Sequence, residues 1–339
     1  MLPCLRRMLA TLAAVLLAGG VAARTEPPQG SEFQVFVEND MLAHSDRYYT
    51  NGIKLGGGLP FRVLRDVVGD VLEGPAAELL DTLGPKAGGD IKVGMFAGQN
   101  LYTPKSITIA APQPNDRPWA AWLYLGGVAQ RAIGNRLDSV EIDIGMVGPA
   151  ALGRQVQTGW HRLIDSPRPL GWSNQLPNEP AFLASYLAKQ RIARGNWEFV
   201  PHAGLTVGTV MTLGRIGGLL RWGRNMSGFG PDTIEPGGAM LQAMRDEVTT
   251  GASGLEWYVF ASVDHRLVAH NVFLDGTVFR DSAGVSRRPH VYDVAVGISA
   301  RINALRMSFT RVRRSEEFFT AAGGGGRQTF DSLNIGMEF

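Results

Sequence analysis

Residues 329–339, TFDSLNIGMEF, alternate Leu333, Ile335, Met337 and Phe339 with Asn334, Gly336 and Glu338, and the last residue is aromatic. A period of two marks an extended strand with one apolar and one polar face. Ending on phenylalanine, the segment matches the C-terminal strand by which outer-membrane barrels are recognised for assembly. The same period recurs upstream in Val140, Ile142, Ile144 and Met146 against Glu141, Asp143 and Gly145. In a soluble protein that apolar face would pack on a core, and in a barrel it would face lipid; the period is the same in both.

Twelve segments of this kind are predicted, near 32–38, 50–59, 89–98, 118–130, 137–147, 196–209, 211–222, 255–268, 271–279, 291–302, 305–314 and 329–339. An even count is what a bacterial barrel with both termini on the periplasmic side requires. The expected fold is therefore all-β, a transmembrane antiparallel β-barrel over 24–339 with short helices in its loops. Forty-three glycines and a mean hydropathy near zero agree with it, although composition alone also fits a soluble β-sandwich or a secreted α/β enzyme.

At the other end, Arg6 and Arg7 precede an apolar run from Met8 to Leu17 and small residues through Ala23. This reads as a cleaved signal peptide over 1–23, because the run is too short to span about 30 Å of hydrocarbon. Its loss would take two arginines from the 33 basic residues and leave them balanced against 31 acidic ones. Nucleic acid is not an expected partner. The single cysteine, Cys4, falls in the same segment, so disulfides, zinc-thiolate sites and thiol nucleophiles are excluded from the remainder.

With the first strand rising from the periplasm, the predicted outside connections are 39–49, 99–117, 148–195, 223–254, 280–290 and 315–328. Tight inside turns are predicted near 131–136, at Met211, near 269–270 and at 303–304. One inside connection is long: within 60–88, Val63, Leu64, Val67, Val68, Val71 and Leu72 fall at helical spacing, which predicts an amphipathic helix at the periplasmic surface.

The first outside loop carries Glu38-Asn39-Asp40 and then Asp46-Arg47-Tyr48-Tyr49-Thr50-Asn51-Gly52. Carboxylate, amide and hydroxyl oxygens are the ligands hard cations such as calcium take, yet Asn and Asp are also ordinary turn formers. In the second loop, Tyr102, Trp119 and Trp122 read as members of an aromatic girdle. In the third, Val156, Trp160 and Leu163 share a helical face beside His161, a residue type suited to general-base work near neutral pH and equally common as a structural side chain. No nucleophile elbow, zinc-binding His-Glu-x-x-His helix or phosphate-binding loop occurs.

Together, Val37-Glu38-Asn39-Asp40, Arg47-Tyr48-Tyr49-Thr50-Asn51-Gly52, Gln99-Asn100-Leu101-Tyr102-Thr103-Pro104, Asp116-Arg117-Pro118-Trp119-Ala120 and Gln155-Val156-Gln157-Thr158-Gly159-Trp160-His161-Arg162 resemble the outer-membrane lipid A 3'-O-deacylase family. The resemblance implies a twelve-stranded monomeric barrel in the bacterial outer membrane. It also implies a calcium-dependent esterase site facing the cell exterior, between the barrel wall and a loop helix, acting on lipid A of lipopolysaccharide. Asn39 and Asp40 match the family's active-site pair and would hold the metal, Thr50 matches its threonine, and His161 matches the base that activates water. Lys105 is the nearest counterpart of the family lysine, though it stands closer to the preceding proline. An outer-membrane phospholipase, or a small pore or structural barrel without enzymatic activity, are the competing readings.

Overall fold

The computed structural model describes residues 30–41, 47–64, 89–235, 255–320 and 323–339. Twelve long strands form one closed antiparallel barrel: β1 (Glu32–Asn39), β2 (Tyr48–Pro60), β3 (Asp90–Thr103), β4 (Ala120–Ile133), β5 (Arg136–Val147), β6 (Glu179–Gln190), β7 (Trp197–Gly208), β8 (Met211–Arg224), β9 (Glu256–Asn271), β10 (His290–Ile302), β11 (Leu305–Arg314) and β12 (Gln328–Glu338). Each strand pairs with its neighbours in sequence, and β12 closes the ring against β1 with Glu32 opposite Glu338 and Asn39 opposite Asp331. Phe339 completes the seam: its N–H donates to the Ser31 carbonyl at 2.8 Å, and its own carbonyl accepts from Gly30 N–H at 2.5 Å.

Exposure decides between the two readings of the period. On β5, Val140, Ile142 and Ile144 are 46%, 55% and 67% exposed, whereas Glu141 and Asp143 between them are 1% and 2% exposed. Apolar out and charged in is the inverse of a soluble sheet and is the pattern of a barrel that lipid surrounds.

The twelve-strand expectation holds in number but not in placement. Residues 179–190, expected within a long loop, form β6, whereas 271–279 is not a strand. Asn271 ends β9 and caps the short helix α2 (Val272–Asp275), accepting the Phe273 N–H at 3.0 Å. Val272, Phe273 and Leu274 are buried, and Phe273 stacks on Tyr102 with ring centroids 3.8 Å apart. The two misplacements cancel in the count but reverse β7, β8 and β9. The turn before Met211 therefore lies at the end opposite the termini, 225–255 begins at the terminus-bearing end, and no turn interrupts 269–270. The tight connections at 134–135 and 303–304 are as expected. Of the predicted 60–88 helix only Phe61–Leu64 is described, and it is helical; the rest, like the predicted signal peptide, lies outside the described residues.

Residues 225–235 fold back into the lumen. Ser227 bonds Glu256, Phe229 packs against Leu137, Val200 and Tyr258, and Asp232 pairs with Lys189 at 2.5 Å. Further along, the Ile234 N–H donates to Glu38, and Glu235 accepts the Tyr102 hydroxyl at 2.8 Å and pairs with Arg314. The inward charges pair between strands too: Lys54 with Glu141 at 2.7 Å, Arg215 with Asp264 at 2.8 Å and Arg266 with Asp293 at 2.6 Å. Burying a charge costs several kcal/mol unless it is paired, so these bridges let a polar lumen be filled rather than flooded.

Candidate active site on the barrel wall

The Asn39 position belongs to the outward face of β1, the face opposite Gln34, Phe36 and Glu38. The strand registers carry that face sideways, with Asn39 opposite Asn51 on β2, Asn51 opposite Leu101 on β3, and Leu101 opposite Ala121 on β4. One row closer to the termini the same wall presents Val37, Ile53, Gln99, Leu123 and Met146. Ile53 and Leu123 of that row are exposed apolar side chains. Rows on one face lie about 7 Å apart, two residues of strand rise. The polar row thus sits one step above the lipid-facing surface.

Over it lies the connection between β5 and β6. A tight turn at Pro149–Ala151 leads through Leu152, at φ 61°, into helix α1 (Gly153–Ile164). The helix turns a stripe of Gly153, Gln157 and His161, spaced four apart, onto the wall. Gly153 is required there: a Cβ would lie 2.5 Å from the Trp172 ring and 2.6 Å from the Ala121 methyl. Leu101, Ile107, Trp119, Ala121, Ala151 and Trp172 form the apolar cluster beneath. Gln99 donates to the Ala151 carbonyl at 2.6 Å, and Trp172 donates its indole N–H to Gln157 at 2.8 Å.

One expectation changes here. Trp119 packs against Trp172 with centroids 5.0 Å apart, and Trp122 stacks on Tyr124 at 4.0 Å; both are buried, so neither belongs to an aromatic girdle. Val156, Trp160 and Leu163 share a helical side as expected, with Val156 and Leu163 partly exposed.

Between wall and helix is a cleft lined by Asn39, Asp40, Met41, Thr50, Asn51, Leu101, Gln157, Trp160, His161, Ile164 and Ser166. Four of the five residues expected at the site, Asn39, Asp40, Thr50 and His161, therefore share one cleft. Lys105 does not line it. Its side chain is exposed, and its backbone N–H donates to Asp116 at 2.8 Å.

Local geometry fixes each group. Asn39 accepts the Met41 N–H at 2.7 Å and donates to the Thr50 carbonyl at 3.1 Å, tying β1 to β2 at the rim. Asp40, 1% exposed, accepts the Arg47 N–H at 2.8 Å and so brings the two ends of the first loop together. Thr50 is the extra residue of a β-bulge between Tyr49 and Asn51, and its hydroxyl meets that of Thr103 at 2.8 Å. A bulge re-aims a side chain that regular pleating would send elsewhere. His161, 5% exposed, holds Nδ1 2.5 Å from the Pro167 carbonyl. A carbonyl only accepts, so Nδ1 carries the proton and Nε2 is the basic nitrogen of the neutral ring.

The donor set bears on a metal. Among the described residues no three His, Cys, Asp or Glu side chains cluster as metal ligands would. One carboxylate, two amides and a hydroxyl are hard oxygen donors of the kind calcium takes. The Asn51 Oδ1 is buried with no hydrogen-bond partner, an oxygen that a cation at this position would satisfy. Neither Asn51 nor Gln157 stood out in the sequence as a site residue. For Gln157 the signal was its place one helical turn before His161; Asn51 carried none that set it apart from a turn-forming asparagine.

Comparison with known proteins agrees with this fold. The family described as "Outer membrane protein LpxR" matches residues 8–339. LpxR from Salmonella typhimurium is 21% identical over 91% of this chain and 100% of its own, with a TM-score of 0.68, and has the same fold. The β domain of the Bordetella autotransporter BrkA is 12% identical over 91% of this chain and 98% of its own, at a TM-score of 0.46. No curated protein matches the chain.

Proposed function

Because the chain belongs to the LpxR family of outer-membrane proteins, we propose that its wall cleft hydrolyses the ester holding the 3'-linked acyl chain of lipid A, with His161 as the base. The observation that carries this reading is the convergence of Asn39, Asp40, Thr50 and His161 in one cleft, one strand row above a lipid-facing surface. An ester at the boundary between headgroup and acyl chains reaches that level without leaving the membrane. We read the end opposite the termini as the cell exterior, which places the cleft at the outer leaflet, where lipid A resides.

With its proton committed to Pro167, the His161 ring presents Nε2 as the atom that takes a proton from water as the water's oxygen attacks the ester carbonyl. The same imidazolium then returns that proton to the departing sugar oxygen. Asn39, Asp40 and Asn51 would hold calcium, which supplies Lewis-acid polarisation of the ester carbonyl. Thr50, aimed by its bulge, orients polar groups of the substrate, while Leu101, Trp160 and Ile164 give the cleft an apolar side for the acyl chain. Lys105, on a loop tied to the helix loop by the Leu170–Ile107 and Asn174–Ala110 hydrogen bonds, is read as a contact for the anionic headgroup. The filled lumen makes a pore the weaker alternative.

Mass spectrometry of lipid A from cells producing the protein tests the reading. The expected result is loss of the mass of one 3'-acyl substituent, with full-length lipid A restored by His161→Ala. A second arm on purified protein should lose activity in EGTA and regain it with excess calcium. Unchanged lipid A beside correctly assembled protein would overturn the assignment, and full activity in EGTA would overturn the metal.

A further inference from the structure

Helix α1 carries more than the site. At about 100° per residue, its twelve residues divide into three faces. Gly153, Gln157 and His161 meet the wall. On one flank Val156, Gly159 and Leu163 form an apolar strip, with Val156 38% and Leu163 42% exposed. About 130° away, on the other flank, lie Arg154, Thr158 and Arg162, whose arginines are exposed. A loop helix over a soluble surface would need no apolar flank left partly exposed. This helix lies against wall positions one row above Ile53 and Leu123, which face lipid.

We propose that α1 is an interfacial helix. It lies in the membrane plane at the barrel end opposite the termini, its Val156–Leu163 flank seated among the upper acyl carbons and its Arg154–Arg162 flank turned to the phosphate layer. An amphipathic helix with a basic polar face is stable in that position, with its apolar side sunk about 5–10 Å into the boundary between headgroups and chains. The occupant of the exposed flank is therefore lipid, an extension of the surface the barrel wall already presents. The helix that forms one side of the cleft would then be held at a fixed depth by the membrane itself. This inference rests on the barrel and its family, not on the esterase reading, and stands or falls separately from it.

The chain's one cysteine is Cys4, so Cys4→Ser gives a thiol-free background. Val156→Cys, Leu163→Cys and Arg162→Cys, with Leu125→Cys on the barrel wall as a lipid-facing control, would each be labelled with the fluorophore NBD. The labelled proteins would be reconstituted into vesicles of phosphatidylethanolamine and phosphatidylglycerol, with or without doxyl-labelled phosphatidylcholine. The proposal expects blue-shifted emission quenched by doxyl lipid at 156 and 163, as at 125, and water-like emission unaffected by doxyl lipid at 162. Water-like emission at 156 and 163 would overturn it. So would a blue shift there without doxyl quenching, which would mean protein covers the flank. Quenching at 162 equal to that at 156 would overturn the in-plane orientation.

Discussion

His161 works through two constraints that a sequence shows only in part. Its spacing from Gly153 and Gln157 puts it on one helical stripe, but only the fold reveals that the stripe faces the wall and that Pro167 fixes the proton on Nδ1. Asn51 shows the opposite case. Nothing in its sequence context separates it from a turn-forming asparagine, and it becomes informative through a buried oxygen left without a partner. Isothermal titration with calcium should therefore show affinity in Asn51→Ala reduced by about tenfold, equivalent to about 1.4 kcal/mol. The fold would be unchanged by circular dichroism, and equal affinity would remove Asn51 from the ligand set.

At the scale of elements, the strands legible in the sequence were those whose alternation uses strong apolar residues, such as β5 and β12. β6 escaped because EPAFLASYLAKQ is rich in alanine and leucine, good helix formers, with Pro180 near its start. Its exposure nevertheless alternates strictly, since pairing with β5 and β7 overrides local preference. The converse holds for NVFLDGTVF, whose branched and aromatic residues read as strand, yet Val272, Phe273 and Leu274 form a short buried helix while Val278 and Phe279 are exposed. Helix α1 depends on one small residue at its start. Gly153→Val should cost about 1–3 kcal/mol through overpacking against Trp172 and Ala121. It should also displace His161 from the wall, lowering turnover far more than it lowers barrel stability in heat-modifiability gels. Unchanged turnover in Gly153→Val would show that the helix need not sit this close.

For the whole molecule, the shared rim of Asn39, Asp40, Thr50 and His161 was readable because both misplaced segments follow residue 165, whereas the count of twelve came out right only because the two misplacements cancel. The lumen was not: segment 225–235 has no periodicity announcing that it will turn inward, and its role depends on partners such as Glu38, Tyr102 and Arg314, distant in sequence. A filled lumen predicts that the protein in planar bilayers shows no steady conductance of porin size, and sustained open-channel current would contradict it.

Water activated at His161 on the barrel wall should attack the ester carbonyl, and purified protein acting on lipid A in 18O-labelled water tests this. One heavy oxygen is expected in the carboxylate of each released fatty acid, none in the sugar hydroxyl, and no release by His161→Ala. Unlabelled fatty acid, or release that persists in His161→Ala, would contradict it.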